Sequence, residues 1–385
     1  MAIKGELITD ATDLERWRAD WDGLALQSRL PYSSPAWMLS WWGHVAPPDA
    51  GLRVAIVREG SHLIAIAPFY FRKRNGLVDY RLLGTGTSQQ REPLLAVPDD
   101  ASAIKVLVSS IASAQPPPDL LTFEGIPANS LVPAHLQEEW PGRKRPFLER
   151  KTFRGRAHRE VPAIALEGQT YDRWLASRNR HFRKEMQRIR RRLSDHGAVF
   201  RLATSGEEVK RGLRSFADLH YARWRSRGGS AVLNTRVEAM LEEVARQLVT
   251  QLRFRLWSIQ IEGQIICAEI FVCAGGTVCS WLGGFDEEWS AKQPSIQTLI
   301  AALEHSWEFG DDRFELGPGG QDYKYRLADQ ADILDTTILV PQTLRYPLTR
   351  AQLISKDLAR IGFRRLPTQH RRHVSKALRR LKTPP

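Results

Sequence analysis

The chain has 385 residues but only three cysteines, and no uncharged apolar run approaches the roughly 20 residues needed to span a bilayer. Cys267, Cys273 and Cys279 form no CxxC pair and sit in apolar, strand-like runs. Buried reduced thiols are therefore expected, and neither disulfides nor a metal site. The opening MAIKGELITD has no basic region followed by an apolar stretch, so the expectation is a soluble, cytoplasmic protein. The stretch FELGPGGQDYKYRL, residues 314–327, also lacks something. No Ser or Thr follows Lys324, and no third glycine completes a dinucleotide pattern after Gly317, Gly319 and Gly320, so neither common nucleotide fingerprint is present.

Positive charge is plentiful but concentrated. Residues 341–385 hold 12 lysines and arginines against the single acid Asp357, and residues 142–193 hold 17 against 5 acids. The remainder carries 27 basic and 37 acidic residues, so the net charge of +13 reflects two basic zones on an acidic body. Such zones attract phosphates, nucleic acid or anionic lipid. A hydrophobic content of 42% is ample for a core, and the length exceeds what one core comfortably serves, which favours two domains.

The pattern along the chain predicts mixed helices and strands. The first fifty residues read as helices, with Leu14, Trp17 and Trp21 on one face and Ser34-Pro35 opening a second helix. RVAIVREGSHLIAIAPFY then reads as a β-hairpin turning at Glu59-Gly60, and RLWSIQIEGQIICAEIFV repeats the form, turning at Glu262-Gly263. RLLGTGTSQQREP after the first hairpin resembles SWLGGFDEEWSAKQP after the second. Two matches in the same order point to an internal duplication and two related α/β units.

Between them, RNRHFRKEMQRIRRRL places Phe182, Met186, Ile189 and Leu193 on one helical stripe, with Arg180, Arg183, Lys184, Arg188, Arg191 and Arg192 off it. Helices over 207–226, 235–250 and 295–309 are predicted, with strands over 277–285, 313–316 and 333–340. Val209, Leu213, Phe216, His220 and Trp224 share a face of the first of these helices. The end of the chain reads as two amphipathic segments broken at Pro367. Leu344, Leu348, Ala351, Leu358 and Ile361 belong to the first, and Val374, Leu378 and Leu381 to the second.

The basic helix, LHYARW with His220 and Trp224, the strand end GGFDEEW, the helix after it and FELGPGGQDYKYRL together resemble the CelD/BcsL-type GNAT acetyltransferases, which are related to the FemAB-like transferases. The resemblance spans residues 10–340 and is densest over 171–327. It implies an α/β (α+β) fold of tandem GNAT-like domains, each a mixed, mostly antiparallel sheet flanked by helices. The corresponding boundaries are 1–165 and 166–340, followed by a basic amphipathic helical tail at 341–385. It further implies transfer of an acyl group from acetyl-CoA or another acyl-CoA to an amine or hydroxyl of a small or saccharide acceptor, with a link to extracellular polysaccharide production.

On that resemblance the donor diphosphate falls at the start of the helix after the central strand, at Lys292, Gln293, Ser295 and Ile296, where unpaired N–H groups and the helix dipole favour an anion. The glycines usual in that loop are absent here, so an aminoacyl-tRNA donor of the FemAB-like kind stays open. Glu269 is the candidate base: a lone carboxylate in the apolar run IICAEIFV, whose pKa burial would raise. A pairing with Arg253 or Arg255 on the neighbouring strand is its structural alternative. His220, on an apolar face, and Tyr323 are further catalytic candidates. Lys324, Arg326, Arg183 and Arg188 are candidates for holding an anionic substrate, with Lys324 as a head group on a turn at a strand's end. A non-catalytic protein binding RNA or a membrane surface is the rival reading. Under either reading the tail at 341–385 is expected to lie on an anionic membrane, peripheral to its inner face, or else to dock Leu344 to Ile361 on the body, and nucleic acid is a weaker candidate partner.

Overall fold

The computed structural model describes residues 3–142, 145–151 and 159–365. A short strand β1 (Ile3–Ile8) leads into α1 (Arg18–Gln27) and α2 (Pro35–His44), then β2 (Gly51–Glu59), β3 (His62–Arg74), β4 (Leu77–Leu82) and β5 (Leu94–Leu95). They are followed by α3 (Ala101–Ala112), β6 (Leu120–Pro127), α4 (Val132–Glu138), β7 (Phe147–Lys151) and β8 (Arg159–Ala165). The second half runs α5 (Tyr171–Ser177), α6 (Arg180–Asp195), β9 (Val199–Leu202), α7 (Gly206–Arg225), α8 (Thr235–Leu248), β10 (Phe254–Ile261), β11 (Gln264–Ala274) and β12 (Thr277–Phe285). It closes with α9 (Pro294–Glu308), β13 (Arg313–Glu315), α10 (Asp322–Leu327), β14 (Gln330–Val340) and α11 (Tyr346–Arg365). The result is a mixed α/β fold in which one continuous, mostly antiparallel sheet is flanked by helices. No helix among the described residues is long and apolar enough to cross a membrane.

The duplication read from the two hairpins is present in the pairing. In β2/β3 the register shifts after Val57↔Ala65, and in β10/β11 it shifts after Ile259↔Cys267, the same distance from the turn. A bulge repeated at one place in two hairpins is a shared feature of their build. Each hairpin then adds one antiparallel strand, a helix and a parallel strand. β4 pairs parallel with β6 after α3, and β12 pairs parallel with β13 after α9. The closing strands are exchanged between the units: β8 lies antiparallel to β13, while β14 returns to β6 and β7. β14 also pairs with β8, and this seam joins the two units into a single sheet.

The stripe of α6 is buried as its spacing requires, with Phe182, Met186, Ile189 and Leu193 packed against Trp174, Ile300 and Leu316. Leu14, Trp17 and Trp21 are core. Two expectations are corrected. The chain does not begin with helices, because KGELI pairs along β2 as an edge strand. The tail helix docks through Thr349 and Leu353, whereas Leu344, Leu348 and Ala351 of the expected stripe are exposed. The side chains of Leu358 and Ile361, and all of the second segment with Val374, Leu378 and Leu381, lie outside the described residues.

Candidate active site

The site arises from a parallel pair that stops early. β12 and β13 are paired only from Thr277↔Arg313 to Cys279↔Glu315, yet β12 continues to Phe285. Beyond Cys279 no strand among the described residues covers that edge. The chain leaving β13 is turned aside at Gly317, whose φ is 70°. A Cβ there would stand 2.8 Å from the Ser280 carbonyl, so glycine is needed both for the turn and for the close approach. A cavity of about 350 Å³ occupies the resulting gap.

Five of the residues singled out from sequence line this cavity: Glu269, His220, Tyr323, Lys324 and Ser295. Glu269 is 5% exposed on β11, opposite Gly283 of β12. Burial pushes its carboxyl up to about 7, against the pull of a hydrogen bond from Ser295 and the charges of Lys324 and Arg223. Neither strand neighbour pairs with it, for Arg253 is bound to Asp22 and Arg255 to Asp311. The carboxyl fits only because residue 283 has no side chain: a Cβ there would lie 2.0 Å from Oε2 and 2.1 Å from Oε1. Gly283→Ala is accordingly expected to displace Glu269 and cut turnover at least tenfold, since a misplacement of about 1 Å can cost as much as a hundredfold. Steady-state kinetics beside a melting curve checks this, and wild-type turnover would show that the carboxyl does not need that place.

Lys324 is not on a surface turn. DYKYRL forms α10, and the lysine is 7% exposed, its Nζ donating to the carbonyls of Gly317 at 3.0 Å and Pro318 at 3.4 Å. Burial brings its pKa down to about 8, although Glu269 draws it upward. Tyr323 is half-buried, and burial together with Glu269 raises its phenol, which keeps its proton. His220 has both ring nitrogens engaged: Nδ1 lies 3.4 Å from the Gly283 carbonyl and Nε2 2.9 Å from the Ser230 hydroxyl. Burial lowers its pKa, so it stays neutral, with Nδ1–H donating to Gly283 and Nε2 accepting from Ser230. It props the strand that carries Gly283.

The other candidates stand elsewhere. Arg326 pairs with Glu185 at 3.0 Å and stacks over Phe182, and Gln293 donates to the same carboxylate at 3.2 Å. Lys292 donates to His196 at 2.9 Å and lies over Trp289. Ile296, Arg183 and Arg188 do not line the cavity. At the start of α9 the N–H groups of Ile296 and Gln297 bond to the Gln293 carbonyl and Pro294 has none, which leaves the N–H of Ser295.

The opposite wall comes from the first unit and was not singled out in the sequence: Thr87, Ser88, Gln89 and Gln90, with Tyr32 behind them. This loop is the GTGTSQQRE stretch noticed only as half of the repeat. Trp281 Nε1 donates to the Thr87 carbonyl at 2.7 Å, which ties the loop across the two units. Fully buried Arg91 anchors it, donating to the carbonyls of Leu83 at 2.7 Å and Glu124 at 3.2 Å. Arg159, Arg223, Trp224 and Trp281 also line the cavity.

Residues 180–325 match the family described as an acetyltransferase (GNAT) domain. No curated protein matches the chain. Among solved structures, the fold is similar to that of FemX, with a TM-score of 0.61 at 11% identity over 90% of this chain and 99% of that one. It is also similar to the C-terminal domain of an Agrobacterium fabrum protein described as a lysylphosphatidylglycerol synthetase (TM-score 0.56, 11% identity, 90% and 97% covered). A Bacteroides thetaiotaomicron protein of unknown function follows, with a TM-score of 0.52 at 11% identity over 87% and 99%. At such identity these structures speak for the fold alone, whereas the family match covers the segment that holds Glu269, Tyr323 and Lys324 and makes it similar to a GNAT acetyltransferase domain.

Proposed function

We propose that the chain is an acyltransferase of the CelD/BcsL type, moving an acyl group, acetyl in the simplest case, from an acyl-CoA to an amine or hydroxyl of a small or sugar-containing acceptor. The observation that carries this reading is Glu269, a buried carboxyl held at about 7 inside a cavity of the GNAT-like segment. A general base works best when its pKa lies near the operating pH.

The thioester supplies an activated carbonyl and a thiolate leaving group. Glu269 takes the proton of the acceptor's amine or hydroxyl as its lone pair forms the new bond to carbon. Tyr323, still protonated, gives its proton to the departing sulfur. The free edge of β12 suits the amides of a pantetheine arm, which can pair with an open strand as an added strand would. Ser295 supplies an N–H at the start of α9. The first unit holds Ala67 where the shared register puts Glu269 in the second, so the proposal assigns one base to the molecule.

The test is acetyl-CoA itself. At a hundred times its dissociation constant a ligand adds ~2.7 kcal/mol of stability, visible as a melting shift. Neither a shift nor thiol release with amine or hydroxyl acceptors would overturn the reading. One observation favours a second donor, an aminoacyl group on RNA: Arg180, Lys184, Arg188 and Arg191 form an exposed row on α6 with no ion pair among the described residues. Nucleic acid that copurifies and is stripped by salt would move the assignment there.

A further inference from the structure

Arg223 of α7 lines the cavity, and its Nε is buried without a hydrogen-bond partner. No carboxylate among the described residues lies within ion-pair distance of it. Its guanidinium stacks over Phe285 at 4.4 Å, which uses the face of the group and leaves the fork of N–H donors in the plane unused. Arg253 with Asp22 and Arg255 with Asp311 show how this fold holds a structural arginine, with a bidentate carboxylate. A donor buried without a partner is costly, and a ligand is what removes that cost.

The cavity around it is short of anions. Arg223 and Lys324 line it beside the single carboxylate of Glu269. Lys324 already gives two of its protons to the carbonyls of Gly317 and Pro318. Arg223 therefore has donors to spare for a ligand, in a site whose fixed charge favours one carrying negative charge.

We propose that the acceptor bears an anionic group, a carboxylate or a phosphate, beside its nucleophile, and that Arg223 binds that group. The inference rests on the acyltransferase reading, since it concerns the acceptor of that reaction. The donor's diphosphate does not compete for the position. Arg223 is close enough to act on Glu269, and the pantetheine arm separates a thioester at Glu269 from its diphosphate by the arm's whole length. An anion at Arg223 while the base meets the nucleophile thus belongs to the acceptor. Bidentate recognition fixes orientation as well as affinity, which is what an attacking lone pair needs.

The experiment reads binding without turnover. Trp224 and Trp281 line the cavity, so their fluorescence in the full chain reports occupancy. Glucosamine 6-phosphate is titrated against glucosamine, β-alanine against β-alaninamide, and inorganic phosphate alone. In at least one of the two pairs the anionic member is expected to bind at least tenfold more tightly. Arg223→Gln removes the difference, and Arg223→Lys restores part of it. The phosphate and carboxylate arms decide which anion the site takes. Arg223→Gln is expected to melt with the wild type and to keep its acetyl-CoA shift, which separates lost recognition from lost folding. Equal binding of charged and neutral members in both pairs, no anion bound at millimolar concentration, or an unchanged preference in Arg223→Gln overturns the proposal. A wild type that binds the anions through Arg223 yet never consumes acetyl-CoA would sink the proposed reaction and leave this site standing.

Discussion

Glu269→Gln is expected to lower kcat by roughly 10² to 10⁴, the usual worth of a positioned acid or base, while the protein stays folded. Glutamine keeps the shape that Gly283 accommodates and can still accept from Ser295, but it cannot take a proton. The wild-type rate should rise with pH through about 7, where the buried carboxyl ionises, and the variant's residual rate should lose that limb. Stability carries an independent signature. The folded pKa of about 7 stands above the ordinary value of 4.5, so between them the native state holds a proton that the unfolded chain has released. Stability therefore falls as pH rises from 4.5 to 7 and is level above, by roughly 3 kcal/mol for a shift of this size. In Glu269→Gln that fall disappears, so the variant gains on the wild type most at pH 8. Urea melts at pH 5 and pH 8 measure it, and a variant with parallel losses at both pH values and an unaltered rate profile would remove Glu269 as the base.

What was legible in the sequence follows from how far each signal reaches. The stripe of α6 and the two hairpins are local periodicities, which the burial and pairing of Phe182, Met186, Ile189 and Leu193 and of β10 with β11 reproduce. Glu269 announced itself because a lone acid in IICAEIFV has no local partner. β1 was missed since a six-residue edge strand takes its identity from its partner β2. The exchange of β8 and β14 pairs residues far apart in the chain, and nothing in either strand's composition names its neighbour. The same distance hid half of the cavity: Thr87 to Gln90 face the cavity that Glu269 lines because Arg91 anchors their loop within the first unit and Trp281 ties it across the seam. Gly283 read only as part of a strand end and Gly317 as part of a glycine-rich turn, whereas one makes room for a carboxyl and the other for a backbone crossing. The tail misled for the converse reason. Helix α11 is periodic enough to suggest a face, but the body accepts Thr349 and Leu353, and Leu344 and Leu348 are left outside.

Lys324→Met is expected to cost about fivefold in activity at pH 7 and to regain most of it near pH 9. The sequence placed this lysine on a turn, free to grip an anion. In the fold it is buried, bonded to Gly317 and Pro318, and its charge bears on Glu269. Removing a cation from beside a buried carboxyl raises that carboxyl's pKa, here by on the order of one unit. At pH 7 the ionised fraction of Glu269 then falls from about half to about a tenth or less, and a higher pH restores it. Stability moves less than burial suggests, because two terms oppose each other. Two carbonyls lose their donor, at about 1–3 kcal/mol. The wild type, however, holds a charged lysine whose pKa has dropped from 10.5 to about 8, a penalty near 3 kcal/mol that methionine abolishes. The lowered pKa also makes wild-type stability rise between pH 8 and 10.5, where the native state has lost a proton that the unfolded chain keeps, and this rise should be missing in the variant. Rate profiles from pH 6 to 9.5 on both proteins decide the role of Lys324. A loss that higher pH does not repair would mean that the lysine touches the substrate itself and does not act through the base.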